Sequence, residues 1–345
     1  MTRPTRDAGT PRLERSFTLI ELLVVVSLLS ILLAVAVPAF SSLLESNERA
    51  LADSKLKIAA SLGRDAAVRS GRGSDGAVAF FYAPGGRLRA VPFVKVGVIE
   101  DEDPSGNPIE RDVFVQVDTF EAIEFPRGWS VRGYAPAYST DEQWYERTVL
   151  ASDRNKGNWV FPETHLYDPR DTNGGDERQT FLIRFDAVDG TASVPKARDA
   201  LLLDPSTSRR LRDSAPFSTF NIERASSHLA YVRSILQLPP SDSRRRELLG
   251  DVSPDTVLAR QVTQVVLYDE TRLAGALRVR LDRDTQTIYR SGTRPELVAG
   301  VTRADIMNWL EGRNVSSDGP TKQPDKAARV YFVERYSGSL REMFP

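Results

Sequence analysis

The sequence predicts an α+β protein: a long N-terminal helix, membrane-spanning and then amphipathic, packed on a mainly antiparallel β-sheet head with extra helices. Three features point there. Residues 22–40 form an unbroken apolar run. Helical spacing of apolar residues continues past it to about residue 70. From residue 77 onward, β-branched and aromatic residues alternate in short runs bounded by Gly, Pro and Asp, which is the pattern of strands and turns.

The apolar run reads LLVVVSLLSILLAVAVPAF, nineteen positions without a charge. Adding Phe17 to Ile20 extends it to residues 17–40, interrupted only by Glu21. At about 1.5 Å per residue such a helix crosses a hydrocarbon core of about 30 Å. Arg3, Arg6, Arg12 and Arg15 precede it against Asp7 and Glu14, whereas Glu45 and Glu48 follow. The positive-inside rule then places the N-terminus in the cytoplasm and the remainder outside.

Glu21 stands out. A charged residue within a membrane span costs roughly 2.5–3.5 kcal/mol at the centre, so one retained near the edge is paired or functional. Arg15-Ser16-Phe17-Thr18-Leu19-Ile20-Glu21-Leu22, with the apolar helix behind it, closely resembles the N-terminal signal of type IV pilins and type II secretion pseudopilins. The resemblance implies that a prepilin peptidase cuts between Ser16 and Phe17 and that Phe17 becomes an N-methylated mature N-terminus. Ser16 stands where that family has glycine. The resemblance also makes Glu21 the acidic assembly residue, whose carboxylate pairs with the N-terminal amine of a neighbouring subunit. Two groups costly in lipid then neutralise each other only on assembly. Two other readings of the segment remain open here. Ala34-Val35-Ala36 has the form of a secretory cleavage site, which would leave Val37 first, and an uncleaved anchor would leave Met1.

Past Pro38, which should kink the helix and falls where the family places its mid-helix proline, the pattern persists. Leu44, Leu51, Ile58, Leu62 and Ala66 form a stripe expected to face the head, opposite Glu45, Glu48, Arg49, Asp53, Lys57 and Arg64. Gly71, Gly73 and Gly76 end it. The domains expected are a cytoplasmic leader (1–16), a transmembrane helix (17–40), its amphipathic continuation (41–70) and a periplasmic head (77–345), with 200–320 as elaboration or subdomain. Residues 62–86 resemble H-type minor pseudopilins, in which the spine helix runs straight into a first strand, here residues 77–82. A Pro84-Gly85-Gly86 turn and a second strand, Leu88 to Ile99, follow. Residues 179–192 and 329–342 resemble the family's glycine-turn strand and closing hairpin. Helices are expected near 225–236 and 303–311, and strands at 261–268, 277–281 and 287–290. Polar, Gly/Pro-rich loops are expected at 101–107, 168–176 and 316–325.

Composition excludes several chemistries. The 345-residue chain has 41% apolar and 27% charged residues and a net charge of −1, a globular balance without the basic footprint of a nucleic-acid binder. It has no cysteine, so disulfides, thiolate metal sites and cysteine nucleophiles are ruled out. His165 and His228 show no metal-ligand spacing. No phosphate-binding loop, G-x-S-x-G or H-E-x-x-H motif occurs. Asp168, Asp171, Asn173 and Asp176 offer alternate oxygens that could wrap calcium, although an Asx-rich turn looks the same and the full EF-hand spacing is absent. No other cofactor is expected. The reading is a non-enzymatic structural subunit of a type II secretion pseudopilus, minor or tip-proximal, in the inner membrane. Its expected partners are other pseudopilins, the prepilin peptidase and the inner-membrane assembly platform. A minor pilin of a pilus or competence system is the alternative, with a membrane-tethered periplasmic hydrolase further off.

Overall fold

The computed structural model describes residues 19–69, 73–82, 87–102, 108–117, 120–135, 158–160, 179–193, 200–203, 228–245, 256–277, 308–310 and 328–343. The chain divides into two compact units, residues 1–50 and residues 51–345. In the first, every described residue is helical. These residues begin α1 (Leu19–Arg69), which continues unbroken into the second unit.

The second unit, the head, is built from two sheets. Its strands are β1 (Gly76–Tyr82), β2 (Leu88–Glu102), β3 (Pro108–Gln116), β4 (Ile123–Glu124), β5 (Trp129–Ala135), β6 (Asn158–Val160), β7 (Gln179–Phe185) and β8 (Ala200–Leu203). After α2 (His228–Leu236) come β9 (Thr256–Gln261), β10 (Gln264–Asp269), α3 (Glu270–Ala276), β11 (Ala328–Val333) and β12 (Leu340–Glu342). The first sheet closes on itself: β1 pairs with β7, β7 with β9, β9 with β8, β8 with β3, β3 with β2, and β2 again with β1. The length of β2 allows this. Its first half pairs with β1, its second half with β3, and a register shift between Lys95 and Gly97 turns the strand from one partner to the other. Closure leaves the six ring strands no free edge. It departs from a purely antiparallel sheet, because β7–β9 and β3–β8 run parallel.

A ring of six strands has little internal room, and the residues facing inward fit it. Ala77, Ala79, Ala200 and Ala259 alternate with Phe81, Val91, Phe93, Phe114, Leu182 and Leu202 in one buried cluster drawn from all six strands. Arg184 shares the inward face of β7 with Leu182, and its guanidinium sits 5.4 Å from the centre of the Phe114 ring. It pairs with Asp75 and Asp112, and Asp112 also pairs with Lys95 at 2.6 Å. Two cations and two anions therefore neutralise one another in a largely buried site. On the outer side of the ring, α2 covers Ile99, Val113, Val115 and Leu201 with Val232 and Ile235.

The opposite outer side carries the main core. Val78, Phe80, Phe181, Ile183 and Phe185 join Ala52, Leu56, Ala59, Ala60 and Ala67 of α1 and inward residues of the second sheet, including Val131, Val265, Leu267 and Tyr331. That second sheet is antiparallel throughout, in the order β12-β11-β10-β5-β6.

The expected stripe on α1 is corrected here. Leu51 and Ile58 are each 49% exposed, while the buried positions are Ala52, Leu56, Ala59, Ala60, Gly63, Ala66 and Ala67. Backbone approach explains the choice. A Cβ on Gly76 would stand 2.3 Å from the Ala67 nitrogen and 2.4 Å from the Gly63 oxygen, and one on Gly63 would stand 3.0 Å from the Val78 nitrogen. The helix lies so close to β1 that this seam admits almost nothing larger than alanine. The expected strand over 261–268 is also divided: β9 belongs to the ring and β10 to the second sheet, with Val262 and Thr263 as the crossing. Residues 270–276 are helical, capped by the Asp269 carboxylate, which accepts from the Thr271 and Arg272 amides. The expected helix near 225–236 is α2; of that near 303–311, only 308–310 lie among the described residues. The expected strands at 277–281 and 287–290 fall outside them beyond Leu277. So do the calcium candidates Asp168, Asp171, Asn173 and Asp176.

Gly76→Ala should cost the head about 1–3 kcal/mol through overpacking. Gly275→Ala, in α3 where an added Cβ meets nothing within 4 Å, should be neutral or stabilise by up to about 1 kcal/mol. Denaturant midpoints of the two variants measure the difference, and coincident midpoints would contradict the close approach.

Candidate assembly site at the N-terminal helix

Among the residues singled out at the N-terminus, Ser16 and Phe17 lie outside the described residues, while Glu21 and Pro38 lie in α1. Glu21 occupies the first turn, where unsatisfied amides and the helix dipole favour a carboxylate. Around it, Leu19, Ile20, Leu22 and Leu23 are between 57% and 83% exposed. The exposed apolar surface continues along α1 through Leu44, and the helix is long and apolar enough to cross a membrane.

Polar groups in this stretch are satisfied locally. The Ser27 and Ser30 hydroxyls donate to the Leu23 and Val26 carbonyls at 2.8 Å. Pro38 lies inside the helix and brings no amide donor. One turn later, Ser41 and Ser42 donate to the carbonyls of Pro38 and Ala39 at 2.8 and 2.9 Å. An unpaired hydroxyl is costly in lipid, and these four serines meet that cost by bonding to carbonyls of their own helix.

The part of α1 inside the head is tied down by side chains that sequence patterning did not single out for this role. Tyr331 of β11 donates its hydroxyl to Asp53, which also accepts from Lys57 at 2.8 Å. Burial opposes ionisation of Asp53, but those hydrogen bonds and the nearby Lys57 and Arg329 charges prevail and hold its carboxyl below the ordinary value. Burial, and then the bond to Asp53, pushes the Tyr331 hydroxyl up. Lys55 donates to the Glu124 carbonyl. Arg64 donates to the Ser337 carbonyl at 2.8 Å and lies against Gly190 and Gly338.

These two glycines close turns of one design. Gly190 donates to the Asp186 carbonyl and Gly338 to that of Glu334, at 3.0 and 2.8 Å, with φ of 68° and 65°. The Ala192 amide joins the turns by donating to the Arg335 carbonyl. Gly190 falls in residues 179–192, expected to be a strand with a glycine turn, and Gly338 in residues 329–342, expected to be a hairpin. Their meeting at Arg64 depends on tertiary packing.

Residues 11–37 match the family model for the prokaryotic N-terminal methylation motif. No curated protein and no solved structure matches the chain. The chain thus carries the signature of type IV pilins and pseudopilins, and a long N-terminal apolar helix followed by a β-rich head is consistent with that fold. The match covers this N-terminal motif, which together with the apolar helix supports a type IV pilin-like filament subunit with a membrane anchor.

Because folding lowers the Asp53 pKa below the ordinary 3.8, its stabilising contribution is complete above about pH 4 and is lost as pH falls through the folded value. Tyr331→Phe removes one donor and should flatten that acid dependence. Urea midpoints of both proteins between neutral pH and about pH 2 measure it. Parallel curves would show that the bond does not contribute.

Proposed function

We propose that the chain is a minor or tip-proximal subunit of a type II secretion pseudopilus, cut between Ser16 and Phe17, N-methylated on Phe17, and assembled through Glu21. The observation that carries this reading is Glu21 itself, an acid in the first turn of an otherwise apolar, exposed helix. Leucine there would be cheaper in a membrane, so the carboxylate is kept for a role that outweighs its cost, and the resemblance to pilins makes that role assembly. The N-terminus lies in the cytoplasm and the head in the periplasm, as the Arg-rich leader favours.

Two features support the H-type assignment. α1 leads into β1 within seven residues, and the chain closes on a glycine-turn hairpin, β11–β12. The size of the head favours a minor position, since it offers surface for other subunits or cargo. The reading assigns α1 to packing among neighbouring helices, where shape and polar pairing must decide contacts because lipid is as apolar as leucine.

Glu21→Leu should leave membrane insertion intact and remove the subunit from sheared filaments. Loss of a pairing worth more than about 1.4 kcal/mol lowers incorporation at least about tenfold. Quantitative immunoblotting of membrane and filament fractions reads this, and unchanged incorporation would sink the proposal.

A further inference from the structure

Between Leu51 and Arg69, α1 turns a second face away from the head. Leu51, Ser54, Ile58, Ser61, Asp65 and Val68 follow at steps of 3, 4, 3, 4 and 3, opposite the buried Leu56 and Gly63. Leu51 and Ile58 are half exposed, Val68 is 57% exposed, and both serines are exposed. A single exposed leucine needs no explanation. Branched side chains one heptad apart, with serines between them, form knobs and gaps that accept another helix.

The flanks restrict which helix. Lys55 and Arg69 border the seam on one side, Lys57 and Arg64 on the other. Contacts with the head hold these cations in place: Lys55 donates to Glu124, Arg64 donates to Ser337, and Arg69 lies 5.7 Å from the centre of the Phe120 ring. Lys57 pairs with Asp53 on its own helix. The only other acid in the stretch is Asp65, within the seam itself. Two copies of this stretch laid side by side, parallel or antiparallel, would set cation against cation along both borders. Like charges brought together at an interface reject a partner more effectively than opposite charges bind one.

We propose that this face docks a helix of a different subunit, one carrying Asp or Glu along its matching borders, and not a second copy of this chain. The proposal rests on the filament reading above and adds the partner. Apolar knobs supply the affinity, and the basic borders supply the choice.

The test uses the full chain in detergent micelles and two fluorescent peptides, each stapled as a helix on its buried face. One has the sequence of residues 51–69, and the other carries Lys55→Glu, Lys57→Glu, Arg64→Glu and Arg69→Glu. The acidic peptide should bind about tenfold tighter, by several weak ion pairs acting together. The gap should narrow as salt is raised. Ile58→Glu in the full chain, at an exposed position, should abolish binding while thermal unfolding stays unchanged. Equal or tighter binding of the peptide with this chain's own sequence would overturn the proposal in favour of self-association. Binding of neither peptide, or binding that survives Ile58→Glu, would overturn it as well. Absence of the unaltered chain from sheared filaments would instead count against the filament reading, independently of the peptide result.

Discussion

The head is organised around a place where a helix and a strand nearly touch. Gly63 and Ala67 of α1 meet Gly76 of β1 with no room for an added methyl group. This approach dictates which helical residues face inward, and they are alanine and glycine at most positions. It also sends Leu51 and Ile58 outward, where soluble packing has no use for them. Residues 51–69 are therefore part of the head's core and not a linker attached to it. β1 is in turn a member of the closed ring, so the same contact fixes the ring against the helix.

Around that contact the head uses polar side chains as ties between elements distant in sequence. Arg184 joins β7 to Asp75 and Asp112 at one end of the ring. Arg64 holds two glycine turns that are far apart in the chain, and Tyr331 reaches from β11 to Asp53. Removing one partner of a buried pair is costly, whereas the net stability of an intact pair is modest. Such ties are better understood as setting geometry than as supplying stability. They leave α1 with one face committed to the head and the other available.

What could be read from the sequence was what depends on nearby residues. The apolar run, Glu21, the proline, the first two strands, the glycine turn after Phe185 and the hairpin over 329–342 all carry local signals, and each is present. Ring closure was not legible, because Val113 finds Leu201 and Leu182 finds Gln261 across long stretches of chain. The inward face of α1 was misjudged because the large apolar residues were followed, while the contact selects small ones. α3 did have a readable signal: Asp269 followed by Glu-Thr-Arg is a helix cap. No local signal marks Arg184 as an inward residue, because Asp75 and Asp112 meet it only in the folded ring. The candidate assembly residue, by contrast, came entirely from the sequence. The outward seam needed the structure, since its meaning depends on which face the head already covers.

In the proposed assembly, a carboxylate placed among leucines and valines is answered by an amine that exists only after processing. That amine can be weighed directly. Intact mass and N-terminal sequencing of protein extracted from host membranes should find a chain beginning at Phe17 and carrying one added methyl group. A chain that still begins at Met1, or one that begins at Val37, would contradict the account.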